Sequence, residues 1–424
     1  MKESGRTSGR MSQIINVTNA WLAVLIAIMG VGAIAYFAFQ FTTGLIVTGM
    51  RDIVVWGLYI ITFIFFIGLS AGGLIISSSS YVFGAERWKP ISRVATLLAF
   101  VCVAIAAGTI VADLGRPDRV LNLFLYPQFD SPFIWDLIII TSYLVISLVD
   151  LWFMCRADFA RKRSIFAFGT KDISDQAVAR DKKIVKAISF VALPTAIMLH
   201  SVTAWIFGLQ MARPWWNTAI LAPVFLASAM VSGLALVILT TLIGRQRGLL
   251  NVDLSVLQDI GKLLAVVVLV DFFLKSTELL TLFWPNAEAE LARLSLVVSG
   301  PFSSLLLIEW TIGGIVPFVI LAYPRTRRNA LGLAVASILL IVGVFAYRVE
   351  LVLPGFVVPL VSLPPGQAVG QYIPGVSSYA VTGTYSPTWV EYAVTGAMIA
   401  LGAFIVTVGA KIVPFGSSKD ADKE

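Results

Sequence analysis

Three short stretches place groups of complementary chemistry near one another: Asp113 with Arg116, Trp135 with Asp136, and His200 followed by Trp205. Carboxylates, a guanidinium, an imidazole and indoles together suit a flat apolar molecule with polar carbonyl ends. A quinone is such a molecule: its ring stacks on aromatic side chains, its oxygens need donors, and two-electron oxidation of the quinol releases two protons that a carboxylate or imidazole must accept. Simpler roles stay open for some of them. Asp113 and Arg116 could form a helix-end ion pair holding the turn at Pro117, and His200 could be a satisfied buried histidine. A second set, Asp271, Lys275 and Glu278, is spaced i, i+4, i+7 and so shares one helix face, which Glu309 could meet from a neighbouring helix. Such a set relays protons or ions, or joins helices as a neutralised polar network.

These charges stand out because the rest of the chain is so apolar. Of 424 residues 58% are hydrophobic and 13% charged, which excludes disorder and an ordinary soluble domain. The net charge of +7 therefore speaks for membrane orientation and not for a nucleic-acid partner. The two cysteines, Cys102 and Cys155, are too few for an iron–sulfur cluster, and one histidine excludes a bis-histidine haem held by the protein. No metal site and no redox cofactor held by protein ligands are expected, so any electrons must arrive and leave on something else.

The elements that position these residues are membrane helices. A bilayer core takes about 20 apolar residues per helix, and ten such stretches are expected at 21–41, 54–82, 91–114, 132–153, 184–207, 218–242, 257–284, 301–323, 330–349 and 387–413. The first is read as a retained helix and not a signal peptide, since no small-residue cleavage site follows it. With both termini in the cytoplasm, the inner segments carry 24 of the 31 basic residues, nine of them in 156–186. The outer side keeps Arg51, Arg116, Arg119, Arg213, Arg293 and Arg348, and Lys275 lies within a span. In this orientation Asp113, Arg116, Trp135, Asp136 and His200 fall in the outer half of the membrane and could converge there.

The chain also echoes itself. Gly68-Leu-Ser-Ala-Gly-Gly-Leu74 is echoed by Ala229-Met-Val-Ser-Gly-Leu234, and Ser131-Pro-Phe133 by Gly300-Pro-Phe302, both four spans apart. The expected architecture is an all-α polytopic membrane protein with two related four-helix bundles, spans 2–5 and 6–9, flanked by spans 1 and 10. Its segments are a cytoplasmic tail 1–20, a first helix and outer loop 21–53, and a first bundle 54–212 with the candidate quinone site. A second bundle 213–349 with the candidate proton route, an outer loop and tenth helix 350–413, and a cytoplasmic tail 414–424 complete the chain.

Asp-Leu-Gly-Arg-Pro at 113–117, Ser-Pro-Phe-Ile-Trp-Asp at 131–136, His-Ser-Val-Thr-Ala-Trp at 200–205, Lys-Ser-Thr-Glu at 275–278 and Tyr-Ser-Pro-Thr-Trp-Val-Glu at 385–391, in this order, resemble the NrfD/polysulfide reductase membrane-subunit family. The likeness is greatest to its ten-helix branch. The resemblance implies a subunit of the bacterial or archaeal cytoplasmic membrane that binds quinone, menaquinone or ubiquinone, near the outer face of the first bundle. It implies electron exchange with an extracytoplasmic four-cluster iron–sulfur subunit, itself joined to a molybdopterin, hydrogenase or multihaem cytochrome subunit. Asp113, Arg116, Asp136 and His200 match the family's quinone pocket, and Asp271, Glu278 and Glu309 its proposed proton route. From the residues alone, a secondary transporter or a quinone-independent membrane anchor stays open.

Overall fold

The computed structural model describes residues 4–51, 53–170, 172–285, 288–357 and 385–413. Ten long helices account for most of them: α1 (Ser4–Ile34), α2 (Leu58–Val82), α3 (Lys89–Asp113), α4 (Pro132–Arg161), α5 (Asp175–Gly208), α6 (Leu221–Gln246), α7 (Leu254–Phe283), α8 (Ser303–Ala322), α9 (Ala330–Val352) and α10 (Trp389–Ile412). Among the described residues there is no strand. Nine of these helices are long and apolar enough to cross a membrane. The exception, α7, has 30 residues but carries Asp271, Lys275 and Glu278 along its length. At 1.5 Å per residue it reaches about 45 Å, and it packs between α6 and α8, so it spans with the others. The chain is a multi-pass membrane protein.

Neighbouring helices close two rings. In the first, α2 packs on α3, α3 on α4, α4 on α5, and α5 back on α2; in the second, α6 packs on α7, α7 on α8, α8 on α9, and α9 back on α6. The α1 helix lies against α10, which leans on α3. In lipid no hydrophobic effect draws helices together, so close backbone approach and interhelical hydrogen bonds must do it. The two rings meet where the echoed small-residue motifs cross: a Cβ on Gly72 would collide with the carbonyl carbon of Gly233, and one on Gly233 with the amide nitrogen of Gly72. Within the second ring Gly313 of α8 and Gly343 of α9 touch in the same way.

Several expected boundaries move. Helix begins at Ser4, inside the stretch expected as a tail. The long basic segment 156–186 is largely helical, because α4 and α5 run on for 30 and 34 residues, far beyond the roughly 30 Å hydrocarbon core. Their extensions are joined by a buried ion pair, Arg156 Nε to Asp181 Oδ2 at 2.6 Å. Arg348, counted with the outer basic residues, is fully buried within α9. The C-terminal tail 414–424 and most of the expected outer loop, 358–384, lie outside the described residues. Below, outer and inner follow the orientation expected from the basic residues.

The contact of α2 with α6 gives a direct test. Gly72→Val forces two backbones apart, and overpacking of this kind costs about 1–3 kcal/mol or more; the purified protein in detergent should melt several degrees lower. Gly30→Ala, where a Cβ meets nothing within 4 Å, should melt as the parent does.

Candidate functional site

Pro132 occupies the first turn of α4, where its missing N–H costs nothing, and this start puts Asp136 one turn inside the helix. Asp136 is 3% exposed and accepts a 2.7 Å hydrogen bond from Thr203 Oγ1 of α5. One turn before Thr203, His200 is fully buried, with Nδ1 2.6 Å from the Ala196 carbonyl and Nε2 3.0 Å from the Ile67 carbonyl of α2. Both ring nitrogens thus face backbone oxygens, and the neutral imidazole, with one N–H, donates to the Ala196 carbonyl or to the Ile67 carbonyl of α2 according to its tautomer.

Outward of the Asp136–Thr203 pair lies an aromatic cluster. Trp56, just before α2, meets the edges of Phe133 and Phe207, one turn from Asp136 and Thr203 respectively, and stacks on Trp216 at 5.5 Å and 21°. Phe356 closes on both indoles, and the Arg213 guanidinium sits 4.7 Å from its ring centroid. Asp136, Thr203 and this cluster give a hydrogen-bonding carboxyl beneath aromatic rings, the two things a quinone head group needs.

The other residues expected here point elsewhere. Asp113 ends α3 on the side of α2 and α10: it neighbours Tyr59 and Glu391, and its Oδ1 is buried without a hydrogen-bond partner among the described residues. Arg116 lies past the helix end, exposed, bonded to Asp118 through Nε at 3.0 Å and Nη2 at 2.9 Å. Hydrogen bonding to Arg116 holds the Asp118 carboxyl below the usual range. Trp205 follows His200 by five residues, about 140° round the helix, and is 36% exposed. Trp135 is half-buried and donates to the Phe129 carbonyl at 2.6 Å. Only Asp136 and His200 of the six face the interior of the first ring, and Thr203 joins them.

The motif at 385–391 is a staple. Tyr385 donates to Glu391 Oε1 at 2.5 Å and accepts from the Leu58 amide at 2.7 Å; Glu391 Oε2 accepts from the Gly49 amide at 2.6 Å and closes a capping box with Thr388. Burial first, and then the bond to Glu391, push the Tyr385 phenol far above its usual range, so it remains the donor. A Cβ on Gly57 would strike the Tyr385 phenol.

In the second ring the expected set does assemble. Lys275 Nζ bridges Asp271 Oδ2 at 2.8 Å and Glu309 Oε1 at 2.7 Å and lies 4.1 Å from the Tyr347 ring centroid. A π-helical stretch, Ile308–Ile315, places Glu309 against them; such bulges recur at functional sites. Two small cavities share Lys275, Glu309 and Trp310 as walls, one also lined by Glu278, Tyr347 and Glu350, the other by Asp271 and Gly313. Beside them Arg348 donates to Ser228 Oγ of α6 at 2.8 Å and stacks 3.8 Å over Phe225, while its Nε and Nη1 have no acceptor. Glu350 and Tyr347 carry no spacing signal in the sequence, and Arg348 reads there only as an outer basic residue. They lie on the span whose partner face only the packing of α9 against α6 and α8 defines.

Residues 46–360 match the family described as polysulphide reductase, NrfD. The chain is 36% identical over 412 residues to the putative dimethyl sulfoxide reductase membrane subunit of Halobacterium salinarum, covering 95% of this chain and 93% of that one. It is 26% identical to a selenate reductase subunit of Mesobacillus selenatarsenatis, covering 94% and 95%. It is 25% identical to the Hdr-like menaquinol oxidoreductase integral membrane subunit of Archaeoglobus fulgidus, covering 92% and 93%.

The lysine bridge carries a stability prediction. Lys275→Met strands two buried carboxyl groups, and removing one partner of a buried pair costs about 3–5 kcal/mol. Thermal unfolding in detergent should show that loss, and adding Asp271→Asn with Glu309→Gln in the same chain should recover most of it.

Proposed function

The chain belongs to the polysulphide reductase NrfD family, and we propose that it is the integral membrane subunit of a respiratory reductase complex, exchanging electrons between membrane quinone and a docked extracytoplasmic iron–sulfur subunit. The observation that carries this reading is the Asp136–Thr203 pair buried beneath the Trp56 aromatic cluster at the outer end of the first ring. The relative from Archaeoglobus fulgidus is named as a menaquinol oxidoreductase subunit, which supports quinone as the substrate. The residues fit that group. Asp136 would bond one quinone oxygen and take or give its proton, Thr203 would hold the carboxyl in place, and Trp56 with Phe133 would cover the ring. Reduction of one quinone takes two electrons and two protons, and oxidation of the quinol returns them. This chain offers the protons a carboxyl, and the electrons pass from, or to, partner subunits carrying iron–sulfur clusters and a molybdopterin, hydrogenase or haem centre. Asp271, Lys275, Glu278 and Glu309, between two cavities, are the corresponding proposal for moving further protons through the second ring.

In the complex purified from its native membrane, Asp136→Asn should lower quinone-coupled electron transfer at least tenfold while the subunits stay together. Thr203→Val should lower it less. Unchanged turnover in both variants would remove this pair from the reaction, and a chain that purifies without any redox partner would favour a transporter instead.

A further inference from the structure

The turn that joins α4 to α5 at the inner side stands apolar side chains outward. Ile165 and Phe168 are 84% and 75% exposed. Arg163 and Phe168 are the only non-glycine residues with positive φ among the described residues, at 49° and 46°, and a left-handed backbone is uncommon for a bulky side chain and strained. The turn is nonetheless firmly held. Ala167 is buried in one cluster with Cys155, Phe159 and Val413, the Phe166 carbonyl accepts from Trp152 Nε1 of α4 at 3.0 Å, and the rings of Phe159 and Phe166 lie 5.8 Å apart. A fixed turn that holds two apolar side chains outward on a strained backbone has something for them to enter.

The depth of the turn says what surrounds it. About 20 residues of helix cross the hydrocarbon core. Counted from Pro132 at the outer end of α4 that length ends at Trp152, and counted back from Gly208 at the outer end of α5 it ends at Ile188. Trp152 is the residue onto which the turn folds back: besides its hydrogen bond to Phe166, its ring centroid lies 6.3 Å from that of Phe168. Ile165 and Phe168 therefore stand at the edge of the hydrocarbon. The α5 helix marks the same level by a change of side chain. Residues 197, 190, 186 and 183, spaced by seven, four and three, share one face; Ile197 and Phe190 are exposed, as lipid-facing residues are, and Lys186 and Lys183, also exposed, continue the stripe inward. Neither lysine, nor Arg163 in the turn, belongs to an ion pair among the described residues, while the buried Arg156–Asp181 pair holds the two helix ends together. Orientation accounts for basic residues anywhere in an inner loop, but not for apolar residues at the hydrocarbon edge or for lysines that continue a lipid-facing stripe.

We propose that the inner ends of α4 and α5 form a binding site for anionic phospholipid: Ile165 and Phe168 enter the acyl layer at the edge of the inner leaflet, and Arg163, Lys183 and Lys186 take the phosphates of the head groups. The occupant is a lipid because the apolar and basic groups lie at the two levels, hydrocarbon edge and head-group layer, that a phospholipid itself has. Basic residues at an anionic membrane surface attract its charge, and a guanidinium also bonds a phosphate through two nitrogens. The site lies at the opposite end of α4 from Asp136, so it stands whether or not quinone reacts there.

The test uses the purified full chain in non-ionic detergent with phosphatidylglycerol and phosphatidylcholine added in equal amounts, and counts the retained lipids by native mass spectrometry. The parent should keep phosphatidylglycerol in excess, and Lys183→Gln with Lys186→Gln should lower that excess at least about threefold. Arg245→Gln with Arg247→Gln removes two exposed basic residues at the inner end of α6 and should leave the excess unchanged; an equal fall there means a response to total inner charge and overturns the site. Phe168→Asn removes the ring with a residue that tolerates the left-handed backbone, and it should lower retention of both lipids. Unchanged retention with a higher melting temperature in that variant makes the turn merely strained and overturns its part. Equal retention of the two lipids by the parent, or an unchanged ratio in the double lysine variant, overturns the proposal. Added phosphatidylglycerol should also raise the melting temperature of the parent, and raise it less in the double lysine variant. Inorganic phosphate at the same concentration should not; stabilisation by phosphate alone identifies a free anion as the ligand and overturns a lipid site.

Discussion

Gly72 and Gly233 bring the backbones of α2 and α6 into contact, and everything else in the molecule is arranged around that crossing. At this crossing there is no room for a side chain between the two helices, and the two rings meet backbone to backbone. Two buried bases flank the crossing: His200 reaches the Ile67 carbonyl from α5, and Arg348 reaches Ser228 from α9.

The two rings handle buried acids in opposite ways. In the second, Lys275 stands between Asp271 and Glu309, so charge is offset by charge, and cavities beside the bridge leave room for water. In the first, Asp136 has one hydroxyl, and Asp150 belongs to no ion pair among the described residues, with Ser77, Tyr81 and Cys155 near it. A compensated network holds helices in register; an uncompensated carboxyl exchanges its proton more readily than it holds a partner. This difference in how acids are partnered sets the two rings apart although they share a helical plan.

Much of that plan is legible in the residues themselves. Apolar length gives the helices, the spacing of Asp271, Lys275 and Glu278 gives a shared face, and the echo of Gly68–Leu74 by Ala229–Leu234 marks the crossing. The site is less legible because direction around a helix is lost when only position along it is known. Asp113 and Asp136 sit at similar depth, yet Asp113 faces α10 and Asp136 faces α5. Trp205 shares a motif with His200 but turns outward. Asp150, near the inner end of a long apolar run, gives no signal until its seam with Ser147 and Tyr143 is seen to be wholly enclosed.

The pairing of α1 with α10 has a consequence for biosynthesis. The ribosome makes α1 first and α10 last of the ten, so α1 crosses the membrane while its principal neighbour does not yet exist. Over its apolar stretch α1 is only 17% buried even in the finished protein, and until α10 arrives it is held chiefly by lipid. The Tyr385–Glu391 staple onto Gly49 and Leu58 likewise forms only after nine helices are in place. Closure of the outer cap is therefore a late event in assembly, and until then the ends of α2 and α10 are not tied together.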